Sequence, residues 1–384
     1  MSIKNSFYLT LLVGIAVLLG FFTGIITNTH LSKTSDSFPI LMQAYNILRD
    51  NGFKDTPPSP ALEYGMIRGM LQAYDDPYTL FVEPAQHELE ADNLQGGFGG
   101  IGVRLERVSE AYVILHPFPD SPAAESGILD GDRVLAVDNL TITPETSMDT
   151  LQAALRGPEG ERVEVTIGHP PDFLPIVVIV KRVRISLPTV TWHLDPGERR
   201  LGVIEINLIA ESTPGEIQRA VKDLETRGAN VFLLDLRDNI GGLLTAGVDT
   251  ARLFLGDGTV IEQQYRGKDV ETYKVERPGP LVDLPLAILV NQNTASSAEI
   301  IAGALQVNGR AKLIGVPTFG KYTIQLVFDL QDGSSLHVTA AHWWIPNINP
   351  GEDNGLQPDI SLPPDDPSPN AAIQEAIQTL LGSR

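Results

Sequence analysis

The stretch Leu286-Ala-Ile-Leu-Val-Asn-Gln-Asn-Thr-Ala-Ser-Ser-Ala-Glu-Ile300 reads as an apolar strand, a polar turn and the start of a helix. Residues 286–290 carry no polar side chain, the pattern of a strand buried on both faces. A helix follows over 300–306, so Ser296 stands on a strand-to-helix turn. Such a turn exposes its side chain, and the helix N-terminus behind it favours developing negative charge. A serine in this place is ordinarily an N-cap, its hydroxyl accepting from free amides of the first turn. It becomes a nucleophile only beside a base, and a lysine kept neutral by an apolar site is one such base. Phe319-Gly-Lys321 supplies a lysine further along.

The same alternation extends outward. Residues 203–207 read as a strand, 214–227 as an amphipathic helix, 231–236 as a buried strand, 243–255 as a helix and 312–315 as a further strand. This predicts parallel strands joined by helical crossovers. Upstream, the composition changes at Gly96-Gly-Phe-Gly-Gly-Ile-Gly102, and short strands follow at 101–105, 111–115, 133–137 and 162–167, with a helix over 148–155. Earlier still, Leu and Met recur at helical spacing over 40–48 and 62–71, split by Asp55-Thr-Pro-Pro-Ser-Pro60; these stripes read as core-packing faces. Residues 363–369 read as a linker before a short helix over 371–381.

With 384 residues, two or three folded units are expected. A net charge of −20 argues against a nucleic-acid partner. There is no cysteine, hence no disulfide framework, thiol nucleophile or lipoprotein anchor. The 7 histidines show no metal-ligand spacing, and neither a metal nor a cofactor is called for. A homo-oligomer is allowed by the sequence and not specified by it. Residues 7–26 carry no charge and are long enough to cross a bilayer. Lys4 precedes them, favouring an N-in orientation. No clean small-x-small cleavage site follows, so an uncleaved signal anchor over 1–28 is expected, with the catalytic part on the extracytoplasmic side of the cell membrane; a cleaved signal peptide, giving a secreted protein, is the rival.

Taken together, the chain resembles the carboxy-terminal processing peptidases, or tail-specific proteases. The likeness rests on Asp76-Pro-Tyr-Thr-Leu-Phe81, Phe98-Gly-Gly-Ile-Gly102, Asp120-Ser-Pro-Ala-Ala124 with Gly131-Asp-Arg-Val134, Leu234-Asp-Leu-Arg-Asp-Asn-Ile-Gly-Gly242, the Ser296 block, Phe319-Gly-Lys321 and Gly355-Leu-Gln-Pro-Asp359, all in the family's order. The resemblance implies a mixed α/β and α+β multidomain chain: a helical segment over 29–95, a PDZ-like β-barrel domain over 96–185, a crotonase-like protease core over 186–366, and a tail over 367–384. It also implies a serine endopeptidase in which Ser296 is the nucleophile, Lys321 the general base and Gln325 an accessory polar residue. The chain departs from the pattern at Asn293, Ser297, Ala298 and Tyr322, where the family has Gly, Ala, Ser and Gly. Two adjacent serines and a Tyr that could crowd the lysine leave an inactive PDZ scaffold as the alternative.

The chemistry asks for a neutral lysine. Its ordinary pKa is about 10.4, so burial must lower it. Phe319, Tyr322 and Ile324 are expected to surround it, with Gln325 steering the amine. The oxyanion needs preorganised donors: the Ser297 amide is one candidate, and an amide of Gly241 or Gly242 the other. Asp235, Arg237 and Asp238 read as structural ion-pairing groups. Consecutive amides at Phe98, Gly99, Gly100, Ile101 and Gly102 suit a terminal carboxylate. A substrate tail would add as a strand beside 101–105, and Leu151, Ala154 and Leu155 would favour apolar C-termini. Arg156 follows that helix, placed either to link the groove to the active site or to offset the helix dipole.

Overall fold

The computed structural model describes residues 38–109, 112–348, 355–363 and 371–382. The expected anchor over 1–28 therefore lies outside the described residues, and among the described residues no helix is long and apolar enough to cross a membrane. The chain divides into two units, Met1–Ala73 and Tyr74–Arg384.

The first unit holds α1 (Pro39–Asn51) and most of α2 (Ser59–Tyr74). Both helices form where the periodicity predicts, but their apolar stripes do not pack a core. Neither helix has a buried residue; Ile40 is 80% and Leu48 61% exposed. Helical spacing fixes which residues share a face, and not what covers that face.

The second unit opens with β1 (Leu80–Val82) and α3 (Pro84–Leu94) and then enters a β-rich module. Its elements are β2 (Gly97–Gly100), β3 (Val103–Ser109), β4 (Tyr112–Pro117), the single-turn α4 (Pro122–Glu125), β5 (Asp132–Val137), β6 (Leu140–Thr141), α5 (Met148–Leu155), β7 (Arg162–Gly168), β8 (Pro175–Lys181) and β9 (Val183–Ser186). The sheet runs β3-β4-β5-β7-β8, with β6 on β5. Strand alternation turns Val113, Leu115, Val134, Val163 and Val165 inward, where they share a core with Leu151 and Leu155 of α5. The glycine-rich stretch whose consecutive amides suit a carboxylate is largely strand: β2 pairs antiparallel with β9, so the module's entry and exit strands lie together.

The larger body continues with β10 (Val190–Leu194), β11 (Leu201–Ile206), α6 (Thr213–Thr226), β12 (Val231–Asp235), α7 (Leu244–Phe254), β13 (Thr259–Tyr265), β14 (Glu271–Lys274), β15 (Leu286–Val290), α8 (Ser297–Val307), β16 (Lys312–Gly315), β17 (Thr323–Asp329), β18 (Ser335–Trp344), β19 (Ile360–Ser361) and α9 (Ala371–Leu381). The central sheet has the order β10-β11-β12-β15-β16-β19. It is parallel from β11 onward, with helical crossovers as the alternation predicts. β12 and β15 are buried at every position. Phe232, Leu234, Ile288 and Val290 share one core with α6, α7 and α8. Leu233, Ala287 and Leu289 face the other way, against Ala372 and Ala376 of α9. The last helix, read from the sequence as a separate tail, is the cover of that second face. A second sheet, β1-β18-β13-β14 with β17 on β18, was not legible in the sequence. β1 precedes the β-rich module, so the module is inserted within the larger body.

Candidate active site

Ser296 immediately precedes α8, with φ 55 and ψ −123. An ordinary N-cap lies in the β region. Positive φ is uncommon outside glycine, and a strained strand-to-helix turn of this kind is what lifts a nucleophilic serine into reach. The surroundings fix the strain. Glu299, fully buried, accepts the Ser296 N–H at 2.9 Å, and the same oxygen accepts the Lys321 N–H at 2.9 Å. Its other oxygen takes the Thr318 hydroxyl at 2.6 Å and the Gly320 N–H at 2.7 Å. One carboxylate thus holds the backbones of Ser296 and Lys321 side by side. Burial pushes the Glu299 carboxyl upward, opposed by these four donors, which favour the charged form.

The two adjacent serines differ sharply. Ser296 is partly exposed, whereas Ser297 is 1% exposed and its Oγ is buried without a hydrogen-bond partner. Ser297 is the first residue of α8, so its amide has no partner inside the helix. Gly241 lies against the turn: a Cβ there would come within 2.9 Å of Ser296 Cβ and 3.1 Å of Ser297 N, and its φ is +103. Its own N–H, however, donates to Asn239 Oδ1 at 2.8 Å. Of the two glycines expected to supply an oxyanion amide, Gly241 is thus engaged elsewhere. Gly242 is exposed, and no hydrogen bond is made by its N–H among the described residues.

Lys321 is half-buried. Burial pushes its amine below the ordinary lysine value, with the Asp76 charge opposing. The expected surroundings lie elsewhere, Tyr322 and Ile324 both packing on the main core. Phe319 is 52% exposed, and Tyr322 turns into the core against Trp343, ring centroids 5.1 Å apart. Tyr322 therefore does not crowd the amine, and burial, with the Glu299 charge adding, pushes its phenol up to about 12. The aromatic ring that does meet Lys321 is Tyr78, whose centroid lies 5.1 Å from Nζ. Among the described contacts no hydrogen bond joins Ser296 Oγ to Lys321 Nζ, nor Gln325 to Lys321. Gln325 Nε2 donates instead to Thr323 Oγ1 at 3.1 Å and Thr339 Oγ1 at 3.5 Å. Sequence reasoning missed Tyr78 and Asp76 as neighbours of the lysine, although Asp76-Pro-Tyr-Thr79 stood out as a motif.

The groups read as structural are engaged with one another. Arg237 pairs with Asp235, and Asp238 Oδ1 accepts from Asn291 at 2.9 Å and Asn293 at 2.8 Å. Asn293, a departure from the resembling family, thus ties the two loops at the site together.

In the β-rich module a cavity of about 310 Å³ lies between β3 and α5, with Phe98, Ile101, Val103, Leu105 and Leu155 among its lining. Gly100 and Gly102 also line it, but Gly99, Leu151 and Ala154 do not, Ala154 packing on the module's core. Gly99 packs on the Gly157 turn, its carbonyl accepting the Gly157 N–H at 3.0 Å, and Leu151 is wholly inside the core. β3 is an edge strand, paired only on its β4 side. Arg156 stacks over Phe98, 3.7 Å from the ring centroid, and pairs with Asp92 of α3 at 3.3 Å.

Comparison with known proteins follows the same division. Residues 200–362 match the model of peptidase family S41, and residues 116–167 match a PDZ domain model. A carboxyl-terminal-processing protease of Picosynechococcus sp. is 38% identical over 304 residues, covering 78% of this chain and 73% of its own. One from Synechocystis sp. is 36% identical over 301 residues, 77% of this chain and 70% of its own. A solved photosystem II D1 C-terminal processing protease aligns over 87% of this chain and 89% of its own at 29% identity, with a TM-score of 0.46.

Proposed function

The chain belongs to the carboxyl-terminal-processing proteases of peptidase family S41, and from that premise we propose how this serine-type peptidase works on its protein substrates. Neutral Lys321 takes the Ser296 hydroxyl proton as Oγ bonds to the scissile carbonyl carbon. The carbonyl oxygen becomes an oxyanion held by the Ser297 and Gly242 amides. The Lys321 ammonium then returns its proton to the leaving amine as the C–N bond breaks. A water oxygen then bonds to the acyl carbon as Lys321 takes its proton, and Lys321 returns that proton to Ser296 Oγ as the Oγ–C bond breaks, releasing the new C-terminus. Gln325 serves as the accessory polar residue by bonding Thr339, whose N–H in turn holds Thr79 beside the lysine's neighbours. The observation that carries the reading is Glu299, whose single oxygen accepts both the Ser296 and Lys321 amides at 2.9 Å.

The substrate's tail adds as a strand to the open edge of β3, its terminal carboxylate meeting the Ile101 and Gly102 amides. The lining of Phe98, Val103, Leu105 and Leu155 favours apolar ends. The apolar run at 7–26 supports a single membrane anchor with the catalytic part outside the cytoplasm; release of the full chain from membranes by alkaline carbonate would contradict this.

Two measurements test the mechanism. Ser296→Ala should abolish hydrolysis of an unfolded polypeptide while Ser297→Ala retains most of it; the reverse pattern would move the nucleophile. Three versions of that polypeptide, ending in apolar residues, in Asp-Asp or in an amide, should be cleaved in that order of preference, the first having the lowest KM. Equal rates for all three would remove tail reading from the β-rich module.

A further inference from the structure

Lys321 meets a segment that enters from the other end of the chain. Asp76-Pro-Tyr-Thr79 precedes β1, and β1 pairs with β18, Leu80 opposite His337. Asp76 Oδ1 accepts the Tyr78 N–H at 3.1 Å and Oδ2 the Thr79 hydroxyl at 2.6 Å. Thr79 Oγ1 in turn accepts the Thr339 N–H of β18 at 3.1 Å, fixing the segment to the sheet. The Thr339 hydroxyl is the one that Gln325 reaches. The Tyr78 ring lies 5.1 Å from Lys321 Nζ, a distance at which an aromatic face attracts a cation. The Asp76 carboxylate adds a second attraction for a positive charge. A neutral amine gains neither.

We propose that Asp76 and Tyr78 form a holding site for the ammonium form of Lys321, which the amine leaves, once neutral, to take the Ser296 proton. The proposal rests on Lys321 being the general base. Asp76 and Tyr78 are positioning residues in it, since they act through the lysine. The ammonium gives its proton to solvent and the free amine then accepts the serine proton. Holding the charged form raises the pH at which the neutral amine appears, in opposition to burial. Asp76 is charged throughout this range: burial pushes it upward, but bonds from Thr79, Thr339 and the Tyr78 N–H, with the Lys321 charge, bring it below the ordinary carboxylate value.

Three further titratable groups lie around the lysine's segment. His337 of β18 is depressed by burial first, with Glu90 opposing and His87 and Lys321 adding. Glu299 of α8 reaches the Lys321 backbone N–H, and Tyr322, on the same segment as the lysine, points into the core.

The test is the pH dependence of kcat/KM for the full chain on an unfolded polypeptide. Asp76→Asn and Tyr78→Leu should each move the acid limb to lower pH, so that below the parent's limb the variants are faster than the parent. Tyr78→Phe keeps the ring and should leave the limb in place, as should His337→Gln. An unmoved or upward-moved limb in either charge- or ring-removing variant that unfolds at the parent's Tm overturns the proposal. So does a shifted limb in His337→Gln. Should Asp76→Asn fail to fold, Tyr78→Leu decides alone. Lys321→Ala separates the two levels: if it is inactive, the base stands whatever the Asp76 variants do; if it turns over normally, the base and the holding site fall together.

Discussion

Glu299 takes four hydrogen bonds with no solvent-facing surface, so its replacement strands several donors at once. Glu299→Gln keeps the size but turns an NH2 group toward N–H or O–H donors. Each buried group left unpaired costs about 1–3 kcal/mol, and the Ser296 and Lys321 backbones lose a common anchor. Denaturant unfolding should show the loss of stability, and kcat should fall with it; parental stability and turnover would make the carboxylate a bystander. At this scale the sequence placed Ser296 on a strand-to-helix turn and Lys321 after a glycine, because both are local patterns. It could not tell Ser296 from Ser297 by burial, nor bring Tyr78 to the lysine. That contact depends on β1 pairing with β18, a partner far along the chain.

The turn between β12 and α7 leaves no room for side chains, Gly241 against the Ser296 turn and Gly242 against the segment before α6. A Cβ at Gly242 would sit 2.0 Å from the Ile209 carbonyl oxygen, and φ there is +150. Gly242→Ala should push the turn outward at a cost of about 1–3 kcal/mol of backbone strain. Because the amide serves the transition state in the proposed mechanism, kcat should fall while KM changes little. An unchanged kcat would take the amide out of the oxyanion site. The parallel strands β12, β15 and β16 were readable as short apolar runs, since a strand covered on both faces has no polar side. β13, β14, β17 and β18 were not. β17 exposes Val327 and Phe328, and β13 runs three polar residues together, Glu262, Gln263 and Gln264, so neither shows a clean period. α1 and α2 illustrate the opposite error: their spacing was right and their burial was not, because periodicity reports a face and not what covers it.

The β-rich module leaves the larger body after α3 and returns at β10, having closed on itself through β2 and β9. Gly97 stands directly opposite Ser186 in that pairing, so its two ends are neighbours. Arg156, stacked on Phe98 and paired with Asp92, is a side-chain tie between the module and α3. The topology has a genetic consequence: the module is a cassette. Residues 97–186 can be excised and residue 96 joined to 187 through a short Gly-Ser link, without asking any strand of the central sheet to change neighbours. The shortened protein should fold and still cut an unfolded polypeptide, but it should treat apolar, acidic and amidated ends alike. Retained discrimination among those ends would place tail reading in the body that remains.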